Sequence, residues 1–227
     1  MDELVVKYND IYWPKYEQYI EITPESCPTS TTAYQLMHIY QNCPEDISKY
    51  CENKRVIIQA GGNAGYYVKK YAELFDYVYT FEPIPLLFYC LNKNVNTNNV
   101  YKFNCCLGDT NECVNMTDAS ETLGHGGSHV NLNDEKKIVP TLKIDNLNLP
   151  ICDLIQLDLE GYELNALKGG IETIKRCKPV IVVEDTNAWG HRYGVTIPKI
   201  DGFLTSLGYE YFDTLKSNGD YVFKYKN

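Results

Sequence analysis

The chain has no apolar run long enough to cross a bilayer. Its longest apolar stretches, such as Val180-Ile181-Val182-Val183, fall far short of the about 20 residues that a membrane helix takes. No basic segment followed by an apolar one opens the sequence; Met1-Asp2-Glu3 begins on acids, so no secretory leader is expected. There is no Cys-x-x-Cys pair, which argues against a zinc ribbon. A basic stripe is missing too. Net charge is −9, the pI is near 5.0, and pairs such as Lys136-Lys137 and Lys175-Arg176 stand isolated. A protein that tracks a phosphate backbone concentrates positive charge, so nucleic acid is disfavoured as a partner. Internal repeats and low-complexity segments are also lacking.

What is present fits one α/β domain. At 227 residues, 44% of them hydrophobic, the chain can bury a substantial core. The nine cysteines are odd in number, and Cys105 adjoins Cys106. Many of them lie in apolar segments, so reduced, structural thiols and a cytoplasmic location are expected. The sequon Asn115-Met116-Thr117 carries no meaning in that compartment.

Residues 1–52 are mixed in pattern, with helices expected near 31–41 and 44–51. They read as an N-terminal helical extension or lid on the main unit, 53–227. From Arg55 the pattern alternates. Val56-Ile57-Ile58 is a short apolar run that ends in Gly61-Gly62-Asn63-Ala64-Gly65. A helix to Phe75, a strand over 77–81, a helix over about 85–95 and a strand over 100–105 follow. Such βαβαβ alternation implies a parallel sheet with helices on both faces. Residues 110–145 interrupt it with two candidate strands, near 113–116 and 137–142, an inserted hairpin with a Gly- and His-containing tip. Strands at 153–157 and 180–183 end in Asp158 and Glu184, and the tail offers a helix and two strands around Asn218-Gly219-Asp220.

The strongest chemical signal is the glycine turn opening into a helix. Glycine permits a tight strand-to-helix turn and close backbone approach, and the helix start presents free N–H groups to polar ligand atoms. Glu82 closes the next strand, 21 residues after Gly61. A carboxylate there can accept both hydroxyls of an adenosine ribose. These two features suit a nicotinamide dinucleotide as well as S-adenosylmethionine (SAM).

Further motifs separate the two. Gln59-Ala60-Gly61-Gly62-Asn63-Ala64-Gly65-Tyr66-Tyr67, Phe81-Glu82-Pro83, Asn104-Cys105-Cys106-Leu107-Gly108-Asp109, Gln156-Leu157-Asp158-Leu159-Glu160-Gly161-Tyr162-Glu163 and the strand-end Glu184 occur in the order of the FkbM methyltransferases. The chain resembles that family over about 55–185. The resemblance implies a Rossmann-like class I methyltransferase: a mostly parallel seven-stranded sheet with helices on both faces and a C-terminal antiparallel hairpin. It implies SAM as cofactor, with Gly61, Gly62, Asn63 and Gly65 shaping the methionine pocket. Glu82, beside Pro83, would hold the ribose, and Asn104, Cys105 and Cys106 would lie near adenine. Gln59 stands where the family usually carries an acid that holds the methionine end; its amide can accept from an ammonium, but without charge. Asp158 falls where substrate and reacting methyl meet.

Methyl transfer from a sulfonium requires alignment, exclusion of water and an acceptor for the nucleophile's proton. Asp158, Glu184, His125 and His129 are the candidates for that base. Asp158, Glu184 and Asp185 together would also suit Mg²⁺ through oxygen-only ligation, although the resemblance requires no metal. The expected activity is O-methylation of a hydroxyl on a sugar, glycan or small metabolite. The rivals are a nucleic-acid or cap methyltransferase, a SAM-binding subunit without turnover, and a dinucleotide oxidoreductase. Against the last, no Tyr-x-x-x-Lys pair is placed as short-chain dehydrogenases require, and a terminal hairpin fits a methyltransferase better.

Overall fold

A computed structural model describes residues 1–15, 35–117, 127–131, 138–185 and 190–226. The first elements are two short strands, β1 (Val5–Tyr8) and β2 (Ile11–Pro14), paired antiparallel. Asn9 and Asp10 between them both take positive φ, 46° and 63°, as a two-residue type I′ hairpin turn requires. The hairpin replaces part of the expected helical extension. A short π-helical turn at Gln35–Ile39 and helix α1 (Cys43–Ser48) stand for the two expected helices.

The main sheet follows the alternating pattern. Strand β3 (Val56–Ala60) leads to α2 (Tyr66–Leu74), β4 (Tyr77–Phe81), α3 (Pro85–Asn94) and β5 (Val100–Phe103). A small sheet of β6 (Cys106–Leu107), β7 (Cys113–Thr117), β8 (His129–Val130) and β9 (Ile138–Leu142) comes next, in the order β6-β9-β7-β8. The two strands read from the sequence pair antiparallel there, Cys113 opposite Pro140. The chain then returns through β10 (Leu154–Leu157), α4 (Glu163–Lys168), α5 (Ile171–Cys177), β11 (Val180–Val183), α6 (Ile197–Ser206), β12 (Tyr209–Thr214) and β13 (Tyr221–Tyr225).

The seven strands are ordered β12-β13-β11-β10-β3-β4-β5. Five are parallel, and β13 and β12 close the sheet antiparallel. All of β3 and β10 is buried, as strands covered on both faces must be. Alternate residues serve opposite cores. Ile58, Ala60, Ile155 and Leu157 pack with Leu167, Ile174 and Leu204 on one face. Ile57 and Leu154 pack with Val68, Tyr71 and Leu91 on the other.

Strand order reverses between β3 and β10, because β4 and β5 grow outward from β3 while β11 grows outward from β10. In open α/β sheets such a reversal leaves a crevice at the carboxyl ends of the strands. Among the described residues no helix is long and apolar enough to cross a membrane.

Candidate active site

The crevice is a cavity of about 470 Å³ at that edge. The β3 turn forms its floor. Gly61 and Gly62 donate their N–H groups to Phe81 O at 3.1 and 2.9 Å, tying the turn to β4. Gly61 has φ +87°, and a Cβ there would lie 2.2 Å from the carbonyl oxygen of Asp158. A Cβ on Gly62 would lie 2.8 Å from Thr80 Oγ1 and 3.3 Å from Glu82 Cβ. The close approach that these glycines permit is thus to neighbouring strand ends, while their backbone still lines the cavity. Gly65 begins α2 and packs against Leu91 and Val95, behind the cavity wall.

Glu82 is 4% exposed and lines the cavity. Its carboxylate accepts from Asn63 N at 2.7 Å and Ile84 N at 2.8 Å. Burial, only partly offset by those bonds, pushes its pKa up to about 7. Asn104 was expected beside adenine; instead its amide donates to Glu82 O and Pro83 O at 2.8 and 3.1 Å and braces the strand end. Cys105, Cys106, Leu107, Ile84 and Leu87 supply an apolar wall on that side. Burial raises both thiols, Cys105 to about 11, so neither is a nucleophile at neutral pH.

Gln59 departs from expectation. It is 1% exposed and does not line the cavity. Its Oε1 accepts from Thr80 Oγ1 at 2.6 Å and its Nε2 donates to Gly61 O at 2.9 Å. The side chain is spent inside the protein, stitching β3 to β4 beneath the turn, and so cannot reach a ligand in the cavity.

Acids crowd the other end. Asp158 N donates to Ala60 O and Glu184 N to Leu157 O, so each acid sits one residue past its strand at the same rim. Asp158 opens onto the cavity yet is hemmed in by protein; the crowding governs its proton affinity. Burial raises it, against a hydrogen bond with Glu184. Glu184 is pushed to about 11, by burial first and then by the charges of Asp158, Glu160, Glu163 and Asp220. Carboxylate oxygens of Asp158, Glu160 and Glu184 all lie within 4.8 Å of one another. Asp185, expected as a third ligand, lines the cavity but is outside this trio.

Glu160 turns inward through a left-handed backbone, φ +55°. Glu163 Oε1 holds that turn by accepting from Leu159 N and Gly161 N at 2.9 and 3.2 Å. His129 on β8 also lines the cavity. Its Nδ1 faces Gly127 O at 3.1 Å; a carbonyl only accepts, so Nδ1 carries the proton and Nε2 keeps a lone pair. Burial lowers its pKa, which keeps the ring neutral near pH 7. His125 lies outside the described residues.

Several cavity residues were not singled out as site residues from the sequence. Asp220, 4% exposed, enters just ahead of β13, fixed by Asn218 Nδ2 at 2.7 Å. Tyr40, Tyr162 and Met116 complete much of the wall. The Asn218-Gly219-Asp220 signal reads as a turn, and nothing in it announces a carboxylate facing Asp158. Among the described residues the lining contains no lysine or arginine.

A glycine-floored crevice at a strand-order reversal, with a buried acid closing the second strand, defines a nucleoside-binding α/β fold, here closed by the antiparallel β13 and β12. The model of the methyltransferase FkbM domain matches residues 59–211, and the chain belongs to this family of SAM-dependent methyltransferases. Its structure is similar to the methyltransferase FkbM of Methylobacillus flagellatus KT: TM-score 0.51, 14% identity, 88% of this chain covered. The chain spans only 56% of that protein's length. A chain from a Haloferax volcanii complex containing the Trm112 methyltransferase activator matches at TM-score 0.50 and 6% identity, over 84% of this chain and 77% of its own. At such identities the likeness is one of fold. A comparison with curated proteins finds no match.

The residues present fit SAM. Glu82 is a buried acceptor with lone pairs left over after two N–H bonds, the apolar wall suits a purine, and the acids at the far end suit a cationic ligand.

Proposed function

We propose that the chain transfers the methyl group of SAM to a hydroxyl of a sugar, glycan or small metabolite. The observation that carries this reading is one continuous cavity with Glu82 at one end and the Asp158–Glu184 pair at the other. When bound, SAM supplies a methyl on a sulfonium that is already a good leaving group.

The protein's task is then placement and proton removal. Glu82 accepts the ribose hydroxyls, and the Gly61–Gly62 backbone holds the ligand flat along the rim. Tyr40, Tyr67 and Tyr162 line the acceptor side and limit water. Glu184 takes the acceptor's proton: once ionised, a carboxylate held so far above its ordinary range is a stronger base than a solvated one. His129 is a second reading for the base, favoured by its free Nε2 and neutral ring.

The absence of Lys and Arg from the described lining supports a neutral or cationic acceptor over nucleic acid. A cytoplasmic setting suits the thiols. Residues 1–52, 110–136 and 186–197 are the segments we assign to acceptor choice, and the reaction as written needs no Mg²⁺. The test is methyl transfer from labelled SAM to a panel of glycans and hydroxylated metabolites, with and without chelator. Label transfer that survives Glu184→Gln and His129→Ala together would refute both base assignments.

A further inference from the structure

A cofactor that ends in an amino acid brings an ammonium as well as a carboxylate. Burying the ammonium without a counter-charge is costly. Gln59 cannot serve, because Thr80 and the Gly61 carbonyl use its amide and it does not face the cavity. The charge must come from another residue.

Strand order locates it. Glu82 follows β4, Gly61 follows β3 and Asp158 follows β10, and these three strands are consecutive neighbours. Strands stand about 4.8 Å apart, so Glu82 and Asp158 lie on the order of 10 Å apart along the rim, with the glycine turn between them. A nucleoside anchored at Glu82, its base against Cys105 and Cys106, sends its 5′ chain the opposite way, over Gly61. What it meets is Asp158: a Cβ on Gly61 would lie 3.4 Å from Asp158 Cβ. Glu184 is one strand further on, with a carboxylate oxygen within 4.8 Å of one of Asp158's. Glu160 has Arg192 as a nearby positive charge. Asp220 is engaged by Asn218.

We propose that Asp158 is the counter-ion of the ammonium at the methionyl end of SAM, a role carried by the fourth parallel strand because the residue at position 59 is turned inward. This rests on the SAM reading and adds a division of labour. Asp158 receives the cofactor's charge, and Glu184 behind it is left for the acceptor's proton. With an ammonium on Asp158, the negative field that holds the proton on Glu184 is weakened, so cofactor binding helps to unmask the base.

The test compares two probes by calorimetry on the full chain. S-adenosylhomocysteine carries the ammonium; 5′-methylthioadenosine shares the nucleoside and thioether but has no amino acid. Asp158→Asn should weaken S-adenosylhomocysteine at least tenfold and leave 5′-methylthioadenosine within about twofold, which also shows that the variant is folded. Glu184→Gln should leave both probes within about threefold. Equal loss of both probes in Asp158→Asn, no loss of either, or a loss that appears in Glu184→Gln instead would overturn the assignment. If the unaltered protein binds neither probe, the SAM reading itself fails.

Discussion

Replacing Glu82 by Gln tests the nucleoside end of the cavity with the least change of shape. The carboxylate accepts two backbone N–H groups, from Asn63 and Ile84, and its remaining lone pairs face the cavity. Glutamine keeps one acceptor oxygen, so one of those N–H groups is left facing an amide N–H. On binding, the ribose hydroxyls would donate to a neutral group in place of a charged one. Hydrogen bonds to a buried charge contribute about 1.5–3 kcal/mol, which predicts a loss of affinity of roughly 10- to 150-fold. The clean assay is calorimetry with 5′-methylthioadenosine at pH 8, because that probe does not engage the acids at the far end. A second signature follows from the raised pKa. Only the ionised carboxylate accepts both hydroxyls, and the group titrates near 7. Affinity of the unaltered protein should therefore fall as pH drops from 8 to 6, by about tenfold at most per unit below the pKa. The Gln variant should show no such slope. Equal affinity of the two proteins at pH 8, or the same pH slope in both, would refute the ribose assignment.

Stability of the ligand-free chain should decline with rising pH. Burial lifts Glu82 and Glu163 to about 7 and Glu160 and Asp220 to about 8. Between about pH 4 and 8 the folded chain therefore holds protons that the unfolded chain has released, and stability falls over that window. Glu82 alone contributes about 3 kcal/mol of the fall; a melting temperature that holds steady or rises from pH 5 to 8 would contradict this. Asn94→Ala should free the N-terminal hairpin. Asn94 bonds both the N–H and the C=O of Tyr12 and also Ala64 O, so about 3 kcal/mol is expected, read as faster proteolysis within residues 1–15. Cleavage at the unaltered rate would show that Trp13 and its apolar neighbours hold the hairpin without the clamp.

Much of the sheet was legible because parallel strands covered on both faces are written as continuous apolar runs, and β3, β10 and β11 are such runs. The placement of the glycine turn and Glu82 at one rim was legible because it depends only on one strand and the next. What escaped depends on pairing at longer range. Gln59 looked like a ligand-facing residue, but its direction is set by Thr80 on the neighbouring strand, 21 positions away. Asn104 looked like a base contact, and its amide is instead taken by the backbone it lies against. The opening hairpin did carry a signal, two short apolar and aromatic runs, Val5–Tyr8 and Ile11–Pro14, around Asn9-Asp10, which the mixed composition of the wider segment obscured. Strands β6 and β8 are two residues long, too short to show any periodicity.

The placement of the acids also explains why so many are tolerated. Glu82, Asp158 and Glu184 each stand just past a parallel strand, and Asp220 stands just before β13, which runs antiparallel to β11. The topology brings all four to one rim, although they are spread over 139 positions of sequence (82 to 220). Left to themselves they repel, and the raised pKa values of Glu82, Glu184 and Asp220 reflect their burial first and that repulsion second. A sequence selected for the stability of the empty fold would neutralise some of them, as amides or with a lysine among the lining residues. None of those present does so. The strain is relieved by whatever positive charge enters the crevice, and a ligand that binds only the folded state stabilises it by its own binding free energy. Instability of the empty chain above neutral pH and affinity for a cationic cofactor are therefore two readings of one electrostatic quantity, and a substitution that removes an acid from the rim should lower both.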